Sequence, residues 1–295
     1  MVDALILNYN DFETTEECAI RLSNCACVRY VLVVDNHSTN DSLVHLNTIK
    51  SNKIIVISTD KNGGYGYGNN YGIRYLKENF RSQYILLCNP DTVIENQSIT
   101  ELKFFLKTHS DFAIAAPIML DKNKIKQSGS AFRIISLTKY ILSQSFAYMI
   151  LAEKTIYRNI VNESSHFVEV DCVMGSLYMM NVDKMIKYGM YDENLFLYGE
   201  ELVLGMKLKK NKQKTALMPN ISYIHDHSVS INKTYKSSLK KHLILVKSHL
   251  YIIRNYYNAN SFLLFFAKLM CIFSFFELIG INVCKKIKNH LDNAI

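Results

Sequence analysis

Proline is scarce, with three residues in 295, glycine is held to 11, and no low-complexity tract interrupts the chain. These scarcities exclude a collagen-like, linker-rich or disordered protein. The cysteines at 18, 25, 27, 88, 172, 271 and 284 form no C-x-x-C pair and are odd in number. Neither a disulfide framework nor a zinc knuckle is signalled, and the thiols read as reduced and mostly buried. The N-terminus has Asp3 ahead of a short apolar run, with no basic region or small-residue cleavage site. No signal peptide is expected, which places the protein in the cytoplasm. Acids are missing from one region in particular. Residues 231–295 hold ten Lys and Arg against two acids, Glu277 and Asp292, and so carry the whole net charge of +8. A neutral body with a basic tail suggests a body acting on something small and a tail that meets a polyanion, either an anionic membrane or nucleic acid. The apolar content of the tail favours the membrane, so no nucleic acid is expected as a partner.

What is present is a globular composition, 49% apolar and 20% charged. Val2–Asn8 and Tyr30–Val34 are short apolar runs that read as buried strands. Between them 11–22 has acids in its first turn and apolar residues at helical spacing, which predicts a crossover helix. The runs 53–58 and 83–88 repeat the strand pattern, with a helix predicted over 71–79. Strands alternating with helices at this spacing imply βαβ units, a mostly parallel sheet and a Rossmann-like α/β architecture. Ligands on such sheets bind at the carboxyl ends of the strands. At those ends stand Asn8-Tyr9-Asn10, Asp35-Asn36 and Asn89-Pro90-Asp91. One polar cluster at a strand end is an ordinary loop start, but three from successive strands converge in space. The segment 62–70, N-G-G-Y-G-Y-G-N-N, brings four glycines immediately before a helix. Such a loop lets backbone N–H groups and a helix N-terminus approach phosphate. It follows the third strand and lacks the P-loop lysine, so a nucleotide site other than a dinucleotide or P-loop fold is implied. Asn89-Pro90-Asp91 reads either as a divalent-metal corner or as a plain turn.

These motifs in this order resemble glycosyltransferase family 2, the inverting enzymes of the GT-A fold, and in particular the rhamnosyltransferase-like branch that builds bacterial O-antigen and capsule glycans. They are N-Y-N, V-V-D-N-H-S-T-N-D-S, K-N-G-G-Y-G-Y-G-N-N-Y-G and L-L-C-N-P-D-T, followed by V-D-C-V-M-G-S-L-Y-M-M, Y-G-M-Y-D-E-N-L-F-L-Y-G-E-E-L and P-N-I-S-Y-I-H-D-H-S-V-S. The resemblance covers residues 3–230. It implies a catalytic domain over 1–230, with a nucleotide-binding half (1–120) and an acceptor-side half (121–230), and a basic, apolar helical extension over 231–295.

The resemblance also implies site residues. Asp35 would accept from the pyrimidine of the donor, with Asn8 and Tyr9 lining the same pocket. Asn62, Gly63, Gly64, Asn69 and Asn70 would lie beside the ribose and diphosphate. Asp91 would hold Mg²⁺ or Mn²⁺ as the second acid of the family's metal motif, whose first position is Asn89 here. His225 would complete the metal or diphosphate contact, with His227 in reserve. Glu200 and Glu201 match the acid pair whose second member is the general base, which makes Glu201 the base and Glu200 its alternative. Gly175 and Ser176 would sit by the sugar, Asp171 would hold a sugar hydroxyl, and Asp192 would shape the acceptor pocket.

The tail shows its own periodicity. Lys236, Lys240, Lys247 and Arg254 fall within about 40° of one another on a helical wheel, which is a basic amphipathic helix suited to an anionic leaflet. Residues 262–284 are more apolar but are interrupted by Lys268 and Glu277. Charges inside a span are costly, so monotopic attachment is expected over a transmembrane helix. The reading that results is a transferase on the cytoplasmic side of the inner membrane. It would move rhamnose from dTDP to a lipid-linked saccharide, with a hexose or galactofuranose from UDP as the alternative donor. From a different class comes a non-catalytic sugar-nucleotide or nucleic-acid binding protein. A nucleotidyltransferase would want a basic, Gly-rich signature after the first strand, and 8–11 has none.

Overall fold

A computed structural model describes residues 1–145, 156–157, 160, 165–226 and 237–292. His227, Ser228 and Ser230 lie outside the described residues, as does Lys236. The chain forms two compact units, one of 1–134 with 156–237 and the other of 135–155 with 238–295.

In the first unit the apolar runs become strands: β1 (Val2–Asn8), β2 (Val28–Asp35), β3 (Ile54–Ser58) and β4 (Tyr84–Cys88). The helices between them are α1 (Phe12–Ser23), α2 (Ser42–Thr48) and α3 (Tyr65–Phe80). There follow β5 (Thr92–Ile94), α4 (Asn96–Thr108) and β6 (Phe112–Leu120). The sheet then takes in β8 (Val168–Val170), β10 (Leu177–Asn181) and β11 (Lys214–His225), while β7 (Ala131–Phe132) and β9 (Cys172–Val173) pair separately. The order is β3-β2-β1-β4-β10-β6-β11-β5, with β8 on β11.

The parallel character is concentrated in the N-terminal half, where β3, β2, β1 and β4 all run parallel. Beyond β4, β10 enters antiparallel between β4 and β6, and only β6 and β11 pair parallel. β5 and β8 run antiparallel to β11. The sheet is buried on both faces, as its unbroken apolar strands require. Ala4, Ile6, Val31 and Val33 pack under α1 and α4, where Cys18, Leu22, Ile99 and Leu102 are buried. Leu5, Leu32 and Val34 point the other way, under Ile73 and Leu76 of α3, and farther along the sheet Leu204 and Leu208 of the helix α6 (Glu200–Lys210) join the same buried cluster. Successive residues serve opposite faces because side chains alternate along a strand.

One element begins earlier than the sequence predicts. α3 starts at Tyr65 rather than Tyr71, so Gly66, Gly68, Asn69 and Asn70 lie inside the helix and are buried. These glycines serve close packing: Gly66 lies against Tyr191, and Gly68 against Leu7 and Asn36.

The second unit contains α5 (Leu137–Leu142), α7 (Ser238–Asn255) and α8 (Ser261–Asp292). The described residues 135–145 pack with the C-terminal helices although they sit mid-sequence. Of the described cysteines, 18, 25, 88, 172 and 271 are buried and none is in a disulfide.

Candidate active site

The ends of β1, β2 and β3 stand in one row, because Asn8 pairs with Asp35 and Asp35 with Ser58 in the sheet register. The Asn8 side-chain amide donates to Asp35 Oδ1 at 2.7 Å, and the Ser38 hydroxyl donates to the same oxygen at 2.6 Å. The Ser38 N–H donates to Oδ2 at 3.0 Å. Asp35 is thus 1% exposed and held by three donors. The loops after β1 and β2 are stitched together as well: Asn10 N–H donates to Ser38 Oγ at 2.9 Å, and Thr39 N–H to Asn10 Oδ1 at 2.8 Å. Asn10 and His37 accordingly adopt left-handed backbone angles. Tyr9 is half-buried beside this knot.

The next loop is fastened to it. The Asn36 amide donates to Asn62 Oδ1 at 3.1 Å and to the Gly64 carbonyl at 3.0 Å, and Asn62 Oδ1 also accepts from Gly64 N–H at 3.1 Å. Gly64 has φ of +92°, and a side chain there would run into the Phe196 backbone, so glycine is required on two counts. Gly63 is close to the Tyr67 ring. Asn69 and Asn70 depart from the expected loop position. Each is 1% exposed in α3, where Asn69 donates to the Tyr65 carbonyl, and Asn70 donates to Tyr191 O at 3.0 Å and Glu193 Oε1 at 2.9 Å. Asn70 ties the glycine-rich helix to the 191–193 segment, while Asn69 bonds within the helix.

The metal-motif corner sits between β4 and β5. The Asn89 N–H donates to the Ser176 carbonyl at 2.7 Å, which joins the corner to the start of β10. Ser176 Oγ and the Tyr223 hydroxyl are 2.6 Å apart. Register puts Thr92 opposite His225, and the Asp226 N–H donates to the Asp91 carbonyl. The result is a buried pair: His225 Nε2 is 3.2 Å from Asp91 Oδ1, with the two side chains 7% and 2% exposed. Among the described residues no group of three His, Cys, Asp or Glu comes together. The Asp91 carboxylate is nevertheless an oxygen donor of the kind Mg²⁺ and Mn²⁺ take, with phosphate oxygens and water to fill the coordination, and the His225 imidazole beside it is a nitrogen donor better suited to Mn²⁺ than to Mg²⁺. The residues present therefore fit the expected ion.

The acid pair opens α6. Gly199 precedes it with φ of +90°, and Tyr198 also has positive φ. Glu200 is 4% exposed, and its Oε1 has no partner among the described residues. Burial, then the neighbouring Glu201 charge, pushes its carboxyl up to about 8. Glu201 is turned toward Gly175: a Cβ at Gly175 would lie 2.5 Å from Glu201 Oε1. Burial raises Glu201 too, while the backbone N–H groups of Glu201 and Gly175 oppose that rise. Gly175 is held from its other side by the Tyr65 hydroxyl, which donates to the Gly175 carbonyl at 2.7 Å. Tyr65 packs edge-on against Tyr191, whose hydroxyl meets that of Tyr178. Tyr65, Ser38 and Tyr223 are site residues that sequence reasoning missed. Ser38 stood in a quoted motif, three residues past Asp35, while the partners of Tyr65 and Tyr223 are far off in sequence.

Two expected residues are committed elsewhere. Asp171 is taken by Lys209 Nζ at 2.6 Å and by Ile134 N–H at 3.0 Å, although it shares a narrow cavity with Glu201, Cys172 and Tyr178. Asp192 accepts from the backbone and side chain of Asn194 and closes its own turn. Ser176 and Gly175 adjoin the acids, as expected.

A Rossmann-like sheet of this order, with acids at its strand ends, is a GT-A glycosyltransferase architecture. A family model for glycosyl transferase family 2 matches residues 3–168, more than half of the chain, and the protein belongs to that family. It is a glycosyltransferase that draws on a nucleotide sugar. The chain is 24% identical over 245 residues to a low-salt glycan biosynthesis hexosyltransferase of Haloferax volcanii, covering 81% of this chain and 71% of that one. It is 25% identical over 186 residues to the rhamnosyltransferase WbbL of Escherichia coli K12, covering 60% and 67%. Among solved structures it is similar in fold to GalNAc-T7 crystallised with UDP, GalNAc and Mn²⁺, with a TM-score of 0.60 and 11% identity. That alignment covers 88% of this chain and spans half the length of the GalNAc-T7 chain.

Proposed function

We propose that the protein is an inverting, metal-assisted hexosyltransferase that moves a sugar from a nucleoside diphosphate to a hydroxyl of a lipid-linked saccharide at the cytoplasmic face of the inner membrane. The observation that supports this reading is that Asp35 ends β2 and Asp91 follows the end of β4, the two strands flanking β1, while Asn89 is tied to Ser176 and the adjoining Gly175 lies against Glu201. The donor is taken to be dTDP-rhamnose, supported by the likeness to a rhamnosyltransferase; UDP-hexose or UDP-galactofuranose is the alternative. Asp35, fixed by Asn8 and Ser38, is assigned to the pyrimidine, with Tyr9 beside it and Asn62 to Gly64 at the ribose and diphosphate. Asp91 and His225 would hold Mg²⁺ or Mn²⁺, with Asn89 alongside; the ion would neutralise charge on the departing diphosphate.

Glu201 is assigned as the general base. An inverting transfer needs one carboxylate to take the acceptor proton on the face opposite the leaving group. Glu201 lies against Gly175, next to Ser176. Glu200 is buried beyond it, and its raised carboxyl keeps a proton near neutrality.

The test is transfer from dTDP-rhamnose, UDP-glucose, UDP-galactose and UDP-galactofuranose to lipid-linked saccharides, with the anomeric configuration of the product read by NMR. Inverted product from one donor, lowered about 100-fold or more in kcat by Glu201→Gln, is expected. Retained configuration, or full rate in Glu201→Gln, would contradict the assignment. Nucleotide-sugar binding with no transfer to any acceptor would favour the non-catalytic reading.

A further inference from the structure

The stretch Ser261–Ile281 is long and apolar enough to cross a membrane by length and composition. Its surroundings in the second unit argue otherwise. α7 and α8 are joined by the short link 256–260 and run antiparallel, so that His242 near the start of α7 meets Ser274 (Nε2 to Oγ, 3.2 Å). Ala267, Cys271 and Ser274 are buried along one side of α8. Glu277 sits toward the same side, where Ser145 donates to its carboxylate at 3.0 Å. The helix is thus two-faced, with an inner face packed on protein.

Its outer face is an unbroken apolar stripe. Phe262, Phe265, Leu269, Ile272, Phe276 and Ile279 are all exposed. At 100° per residue they fall within an arc of about 100°, and they extend about 26 Å along the axis. Lys268 stands at the edge of that arc, not within it. The two charges that interrupt the apolar run in sequence are therefore outside the stripe in space. Lys240, Lys247 and Arg254 are exposed on α7, on the side of that helix away from His242, and add positive charge to the unit. Were 261–281 to span a bilayer, the part of α7 lying antiparallel beside 261–274 would enter the hydrocarbon with it. That would carry Lys247 into the hydrocarbon and Arg254 to its border, where a charge is costly.

We propose that α8 lies flat in the interface of an anionic bilayer, its Phe-rich stripe inserted among the acyl chains and Lys268 at the headgroups, with the positive charge of α7 behind it drawing the unit to the surface. Interfacial helices insert in this way to a depth of about 5–10 Å, with basic residues adding attraction to anionic lipid. The inference rests on the reading that the C-terminal helices meet a membrane, and it specifies the face and the orientation.

The chain has no Trp, so Phe262→Trp and Ile272→Trp each introduce a single fluorescent reporter. They are about 15 Å apart along the axis, at positions 76% and 55% exposed where the exchange leaves the packing intact. The full-length variants are mixed with phosphatidylglycerol-containing vesicles carrying bromine near the headgroup end or near the tail end of the acyl chain. Equal quenching of both reporters, stronger by the shallow bromine, is expected. Deep quenching of residue 272 with shallow quenching of 262 would mean a span and would overturn the inference while leaving membrane attachment standing. No quenching at either position would overturn both. A blue-shifted reporter without vesicles, with a dimeric mass by light scattering, would assign the stripe to a second copy and would likewise overturn it. Phe265→Asp with Phe276→Asp should reduce vesicle binding at least tenfold. Lys240→Glu, Lys247→Glu and Arg254→Glu together should weaken binding to anionic vesicles and leave the weaker binding to neutral ones unchanged.

Discussion

Glu200 and Glu201 are adjacent in one helical turn, yet their surroundings give them different tasks. Glu200 is buried, its Oε1 without a partner among the described residues; Glu201 lies against Gly175. Because the folded state raises Glu200 to about 8, the folded protein keeps a proton that the unfolded chain releases in the ordinary carboxylate range. Between those two values the native state binds more protons than the unfolded state, so stability falls as pH rises across that window. Glu200→Gln removes the effect. Thermal unfolding of the wild type should therefore lose several degrees more than that of Glu200→Gln between about pH 5 and 8; parallel curves would contradict it. Tyr65 acts through Gly175, and Tyr65→Phe deletes one hydrogen bond while keeping the ring against Tyr191. The expected result is a kcat lowered about 3- to 30-fold with KM for the donor unchanged, and a shifted acid limb of the pH–rate profile as Glu201 loosens. An unaltered profile would leave Tyr65 a purely structural residue. Asp35, Asp91, His225 and the acid pair were legible in the sequence because short motifs carry them. Tyr65 was not, since its hydroxyl finds a partner 110 residues away.

Strands were the most legible elements, because continuous apolar runs buried on both faces leave little ambiguity. β1 coincides with its predicted run, and β2 extends the predicted one at both ends. The start of α3 was not legible, because glycine at 66 and 68 reads as loop by propensity. In the fold these positions let the helix approach Tyr191 and Leu7, and tertiary packing overrides the local preference. Nor did the sequence distinguish β10 as antiparallel, since a two-sided strand shows the same apolar run in either direction. Gly64 marks the hinge between the Asn62 loop and α3. Gly64→Ala combines a left-handed backbone with a clash on Phe196, and should cost about 2–4 kcal/mol in chemical denaturation. A loss below about 0.5 kcal/mol would show that the 62–66 turn relaxes freely.

At the scale of the whole molecule, the charge asymmetry of the sequence becomes a division of labour between units. The neutral α/β unit carries the acids at its strand ends, and the basic residues lie with the exposed apolar stripe in the helical unit. Composition and a helical wheel revealed the basic face of α7. They did not reveal that 135–145 packs with the C-terminal helices, nor that Lys268 and Glu277 leave the stripe unbroken, because both depend on which side of α8 is covered. The central claim, that the strand-end acids form a nucleotide and metal site, is tested most directly by thermal unfolding with UDP, dTDP, GDP, CDP and ADP, each with and without Mn²⁺. Ligand at about 100 times its Kd adds about 2.7 kcal/mol of stability. The account predicts a Mn²⁺-dependent shift with dTDP or UDP in the wild type that is lost in Asp91→Ala and Asp35→Ala, measured against each variant's own baseline. A purine-only response, or a pyrimidine shift that survives both substitutions, would contradict it.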